Sequence, residues 1–235
     1  MKNRELIIIN YRILSKFCKK NRFVIIGHDT LEKYGMGKNI VYATKENFVH
    51  EQVYPENMPL LIEEGVWENL ILINNELRQY GLRLVIYDGF RPRAVQNKFW
   101  DTFFDTYNYH NESLVANPKK RGTHNITPNA VELLVENVDG SPAELPYKFD
   151  DFDGRAAINY EECTSEAKKN RDILIRVAEK YGLVVNKSEF FHFTDQRVRI
   201  GENYFWPKKC VPKMERRVFK VRKRDFLIKR HNVEK

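Results

Sequence analysis

The six residues Ser188-Glu189-Phe190-Phe191-His192-Phe193 constrain this 235-residue chain more than any other stretch. They follow a well-signalled helix, read as a strand, and set a carboxylate three residues before an imidazole among aromatic residues. A neutral imidazole is a zinc ligand, and a nearby unligated carboxylate can take a proton from metal-bound water. A surface Glu beside a half-buried His gives the same pattern, and Glu-x-x-His often arises by chance. The pair acquires meaning only from what else in the chain can meet it.

Composition narrows the class. Hydrophobic residues make up 42% of the chain, with 15 Phe and 12 Tyr, which is ample for a packed core and against disorder. No apolar run approaches the roughly 20 residues that span a bilayer, so no membrane span is expected. Leu6-Ile7-Ile8-Ile9 is too short for a signal peptide's apolar region, and the expected location is the cytoplasm. The three cysteines, Cys18, Cys163 and Cys210, are odd in number and widely spaced. That fits a reducing compartment and excludes a Cys-type zinc site. From Lys208 to the end, twelve Lys/Arg stand against three Asp/Glu, an excess of nine, so the remaining body carries about −1 of the net +8. The basicity belongs to the tail and says little about what the body binds. A solvated tail is the plain reading; contact with nucleic acid or anionic lipid has only the tail in its favour.

Along the chain, residues 1–40 read as a mixed preamble, with a basic Lys16–Arg22 stretch and a short strand at Phe23–Ile26. Val41–Thr44 and Phe48-Val49 read as strand pieces. From about Pro59 to Tyr80 the apolar residues fall on a helical stripe that Gly81 ends. Leu82–Tyr87 reads as a buried strand ending at Asp88-Gly89. Arg91-Pro92 opens a second helix, and Ala130–Val135 is a strand with Glu132 embedded in it, closed by a turn at Asp139-Gly140. Thr164 or Ser165 caps a third helix to Tyr181, and Leu183–Val185 leads into the Glu189/His192 strand. Strands and helices mixed without a regular βαβ rhythm predict an α+β fold.

A catalytic zinc takes three protein ligands and leaves one position open. Four of the six histidines, His28, His50, His110 and His231, sit in polar or turn contexts that suit solvated side chains. His124 differs, since it lies just before the strand holding Glu132. A carboxylate inside an apolar strand is costly to bury unless paired or ligated, although an edge strand could also turn it to solvent. Arg91 sits where a buried strand gives way to a helix, a position suited to polarising a carbonyl or holding a carboxylate.

Five segments then fall in a known order: Tyr42-Ala43-Thr44-x-x-Asn47-Phe48, Asp88-Gly89-Phe90-Arg91-Pro92, Val115-Ala116-Asn117-Pro118 through His124-Asn125, Phe149-Asp150-x-Phe152, and Glu189-x-x-His192. In these the chain resembles the D-alanyl-D-alanine dipeptidases of the VanX-like type, zinc peptidases of the Hedgehog/DD-peptidase fold, from about Val41 to Lys209. The resemblance implies a central, mostly antiparallel sheet flanked by helices, a Zn2+ cofactor and a small dipeptide substrate. It implies His124 and His192 as zinc ligands and Glu189 as general base and acid. Arg91 would stabilise the oxyanion, and Tyr42 and Asp150 would shape the dipeptide pocket, with Asp150 meeting the substrate ammonium. At the third ligand the chain departs from the family. Seven residues separate His124 from Glu132, one more than in the family, and Glu stands where the family has Asp. Glu ligates zinc through oxygen at the same distance as Asp.

The expected organisation is an N-terminal extension over 1–40 packed on the domain, a zinc dipeptidase-like domain over 41–209, and a basic tail over 210–235. The expected activity is hydrolysis of D-alanyl-D-alanine or a similar small dipeptide. The altered segment between His124 and Glu132 motivates the alternative of a family member that binds a peptide or cell-wall fragment without cleaving it.

Overall fold

The computed structural model describes residues 7–119, 129–147, 149, 152, 154–199 and 217–221. Strand β1 (Ile7–Ile9) leads into helix α1 (Tyr11–Asn21), whose first turn is capped by the Asn10 side chain accepting from the Ile13 N–H at 3.2 Å. Strand β2 (Phe23–Ile26), the short helix α2 (His28–Lys33) and the two-residue strand β3 (Gly37–Lys38) follow. After a single 3-10 turn at Val41–Ala43, strand β4 (Leu60–Glu63) runs straight into helix α3 (Glu64–Leu77). Glu63 makes that junction by accepting from the Val66 N–H at 3.1 Å. Then come strand β5 (Leu82–Asp88), helix α4 (Arg93–Tyr107), strand β6 (Ala130–Asn137) and helix α5 (Ser165–Lys180). Strands β7 (Leu183–Asn186) and β8 (Glu189–Asp195), the one-turn helix α6 (Gln196–Arg199) and strand β9 (Phe219–Val221) complete the described chain.

The main sheet has the order β3-β5-β6-β8-β7, with β3 parallel to β5 and every other pair antiparallel. This is the α+β class with a central, mostly antiparallel sheet and flanking helices. Alternation gives the sheet two working faces. Leu84, Ile86, Val131, Leu133, Val135 and Phe193 join the main core, to which α3 adds Leu70, Ile73 and Leu77 and α5 adds Leu174 and Val177. The opposite face carries a smaller apolar cluster of Leu134, Tyr147, Ala156, Phe190 and Phe191. Where β7 advances one residue, from Val185 to Asn186, β8 passes from Phe193 back to Glu189. That bulge breaks strict alternation and places Phe190 and Phe191 in the same cluster. A second small sheet pairs β2 with β4, and a third pairs β1 with β9.

Three expectations are corrected. The helical stripe over 59–80 divides into β4, α3 and a terminal 3-10 turn at Arg78–Tyr80, because Leu61 and Ile62 pair with Ile25 and Val24 of β2. Val41–Ala43 is a 3-10 turn and Phe48-Val49 lies in a loop, held there by side-chain bonds from Thr44 and Asn47. The preamble contains α1, whose apolar Leu14, Phe17 and Cys18 are obscured in sequence by Lys16, Lys19 and Lys20.

Asn74 is a buried polar link in the main core. Its amide donates to the Tyr34 carbonyl at 2.8 Å, and its oxygen accepts the Leu84 N–H at 2.8 Å, tying α3 to β5 and to the turn after α2. Asn74→Leu leaves both backbone groups buried without that partner and is expected to cost about 2–4 kcal/mol in urea unfolding. A loss below 0.5 kcal/mol, on the order expected for a surface change, would contradict this role.

Candidate active site

The turn after β5 is the foundation of the site. Asp88 ends the strand, almost fully buried, and accepts from the Gly89 N–H at 2.9 Å and from the Tyr54 hydroxyl at 3.3 Å. Gly89 is required by space. A Cβ there would lie 3.0 Å from the Leu61 carbonyl oxygen and 3.3 Å from Ile62 Cγ1 of β4. The chain then reaches Arg91, which is 6% exposed and held on three sides. Its Nε donates to Asp88 at 2.9 Å, Nη1 to the Gln96 oxygen at 3.0 Å, and Nη2 to Glu132 Oε1 at 2.8 Å. The guanidinium lies 4.7 Å from the Phe99 ring centre and 5.2 Å from that of Tyr42. Gln96 is itself fixed by donating to the Ala116 carbonyl at 2.9 Å.

Burial alone would weaken the guanidinium's hold on its proton, but Glu132 and Asp88 more than offset it and raise the Arg91 pKa well above its ordinary value. Burial, reinforced by the Asp88 charge, likewise raises the Tyr54 hydroxyl and keeps it a neutral donor. The loop presenting Tyr42 is stitched from within. Thr44 Oγ1 donates to the Val41 carbonyl, and the Asn47 amide donates to the carbonyls of Val41, Thr44 and Glu51. The polar positions of the Tyr42-to-Phe48 segment thus have a local architectural reason.

Strand pairing brings the next two residues together. Glu132 on β6 is directly opposite His192 on β8, and Nδ1 of the imidazole lies 3.8 Å from Glu132 Oε1. Both are buried, at 6% and 3% exposure. Burial, with a smaller contribution from Arg91, pushes the His192 pKa down to about 3, so the imidazole is neutral near pH 7. Glu189, at the start of β8, accepts from the Asn186 amide at 3.2 Å. Tyr42, Arg91, Glu132 and Glu189 line one small cavity of about 20 Å³, walled by the rings of Phe48, Phe99 and Phe152.

Five of the seven sequence-derived site residues therefore converge in one place: Tyr42, Arg91, Glu132, Glu189 and His192. His124 and Asp150 lie outside the described residues. Among the described residues no three His, Cys, Asp or Glu side chains form a metal-ready group. The donor chemistry of the two that meet nonetheless fits zinc. A neutral imidazole and a carboxylate face each other, and two zinc donors at tetrahedral angles stand roughly 3.4 Å apart, close to the separation found here. Asp88, Gln96 and Phe99 are the partners that sequence reasoning left out of the site. Gln96 did carry a signal, as a polar residue on the otherwise apolar Val95/Phe99 face of α4.

A model of the peptidase M15 family, described as D-ala-D-ala dipeptidase, matches residues 33–209. The D-alanyl-D-alanine dipeptidase of Escherichia coli (strain K12) is 26% identical over 153 residues, 65% of this chain and 75% of that protein. Among solved structures, the chain is similar to the vancomycin-resistance D,D-pentapeptidase VanY from a VanB-type resistance cassette in complex with Zn(II). That likeness has 12% identity and a TM-score of 0.39, covering 67% of this chain and 80% of the other.

The depressed His192 pKa has a measurable consequence for the metal-free protein. Below the ordinary value of 6.5 the unfolded chain binds a proton that the folded chain refuses until about pH 3. Stability therefore falls as pH drops through that window and is regained as pH rises. His192→Gln removes this term. Between pH 7 and pH 4.5, urea unfolding in chelator should show a larger loss for the wild type than for the variant. Equal losses would show that the imidazole is not held neutral.

Proposed function

The chain belongs to the peptidase M15 family of D-ala-D-ala dipeptidases, and from that premise we propose that it is a zinc-dependent dipeptidase cleaving D-alanyl-D-alanine or a similarly small dipeptide. The observation that carries the reading is the convergence of Arg91, Glu132, Glu189 and His192 on one buried spot, with Tyr42 beside them. Glu132 and His192 would hold the metal, with His124 as the third ligand implied by the family resemblance. A bound zinc ion supplies Lewis acidity, lowering the pKa of water and polarising a carbonyl.

The chain's own residues do the rest. Glu189, held at its base by Asn186, takes the proton from the attacking water and returns it to the leaving amine nitrogen. Atoms balance: one water is consumed, the amide C–N bond breaks, and an acid and an amine are released. Arg91 commits three of its five N–H donors to Asp88, Gln96 and Glu132, leaving two for the oxygen that gains negative charge during attack. Because those anchors lock the guanidinium before substrate arrives, little reorganisation is needed at the moment of reaction.

The walls account for small-substrate selectivity. A cavity of about 20 Å³ holds roughly one water molecule, so a dipeptide enters only when the rim of Phe48, Leu114 and Phe152 spreads. Alanine's methyl groups demand the least spreading. Asp150 beside Phe149 would meet the substrate ammonium.

Two substitutions test these assignments with D-Ala-D-Ala as substrate. Glu189→Gln keeps the shape but cannot take a proton, and kcat is expected to fall by about 10²–10⁴ with zinc content unchanged. Arg91→Lys keeps the charge but loses the three-way fork, and kcat/KM is expected to fall by about 10²–10³. Turnover within a factor of two of wild type for Glu189→Gln would remove it from the chemistry.

A further inference from the structure

The family match ends at residue 209, yet the described residues 217–221 are built into the body. Strand β9 pairs antiparallel with β1, with Ile7 opposite Val221 and Ile9 opposite Phe219. The Asn10 N–H donates to the Val218 carbonyl at 2.8 Å, so the pairing continues to the cap of α1. Val218 is fully buried and Phe219 nearly so. The Phe219 ring packs on Phe90, with centroids 5.8 Å apart and planes inclined at 33°.

Phe90 immediately precedes Arg91 and is 1% exposed. Its N–H donates to the Leu61 carbonyl at 3.0 Å, and Gly89 rests in close contact with the same carbonyl. The turn from Asp88 to Arg91 is therefore pinned by the β4 backbone through its main chain and by Phe219 through the Phe90 ring. Arg91 reaches Asp88, Gln96 and Glu132 together only if its Cα stays in place, and a shift of about 1 Å at such a group costs roughly a hundredfold in rate.

We propose that Phe219 is a positioning residue for Arg91, and that the functional unit extends past the family match to include β9. This rests on the reading of Arg91 as the group that stabilises the oxyanion. Phe219 touches no reacting atom; it acts by holding Phe90. The β1–β9 pair is what carries it there, so the N-terminal strand participates through the same contact.

The test combines amide hydrogen exchange with steady-state kinetics on the full-length, zinc-loaded protein. In Phe219→Ala, exchange at the Phe90 N–H should rise at least about tenfold while the amides of Leu133 and Val135 in β6 keep their protection. On D-Ala-D-Ala, kcat should fall about tenfold to a hundredfold with KM within about twofold, and Phe219→Leu should recover most of both. Unchanged Phe90 exchange would overturn the proposal. So would a parallel rise at Phe90 and throughout β6, which marks global destabilisation, or an unchanged kcat despite a loosened turn. If the wild type cleaves no dipeptide, the dipeptidase reading fails, and the exchange pattern still decides whether Phe219 holds the turn.

Discussion

The buried guanidinium of Arg91 is the interaction on which the rest of the site depends. A charge in so dry a place is tolerated only when its donors are met, and here Asp88, Gln96 and Glu132 meet them from three different elements. Removing any one of these partners leaves a buried charge exposed to the full desolvation penalty. The arrangement explains why the Asp88-to-Pro92 segment is so restricted: an acid to anchor, a glycine to pass Leu61, an aromatic to pack, and the arginine itself. The same contact orients Glu132, whose Oε1 is shared between Arg91 and the space in front of His192.

The sheet converts local sequence into this arrangement. Pairing of β6 with β8 fixes Glu132 against His192, and a one-residue slip would turn one of them to the opposite face. The irregular register between Ile86 and Asp88 sets Asp88, rather than Tyr87, opposite Glu132. On the other face the helices α3 and α5 cover the sheet, so the polar cluster sits in front of a rigid, fully packed wall. That division places chemistry on one face and stability on the other.

Much of this was legible from residues alone. β5, β6, α4 and α5 have periods and caps that local physics dictates, and the Thr164 cap is found where its hydroxyl accepts the Ala167 N–H. Glu132 inside an apolar strand also announced itself, because burial of a lone carboxylate demands a partner. The β4–α3 junction was not legible, since Leu61, Ile62, Val66 and Leu70 are all buried and a helical stripe accommodates them equally well. Nor could Asp88 and Gln96 be assigned, because their value comes from meeting Arg91 in space. The pairing of β9 with β1 joins residues some 210 positions apart, and three-residue strands in a basic or mixed context carry no signal that would predict it.

The most direct test of the account is release of free D-alanine from D-Ala-D-Ala by zinc-loaded protein, measured with and without chelator. The account predicts release that chelator abolishes and added zinc restores. No release from folded, zinc-loaded protein across a panel of small dipeptides, or release that chelator leaves untouched, would contradict it.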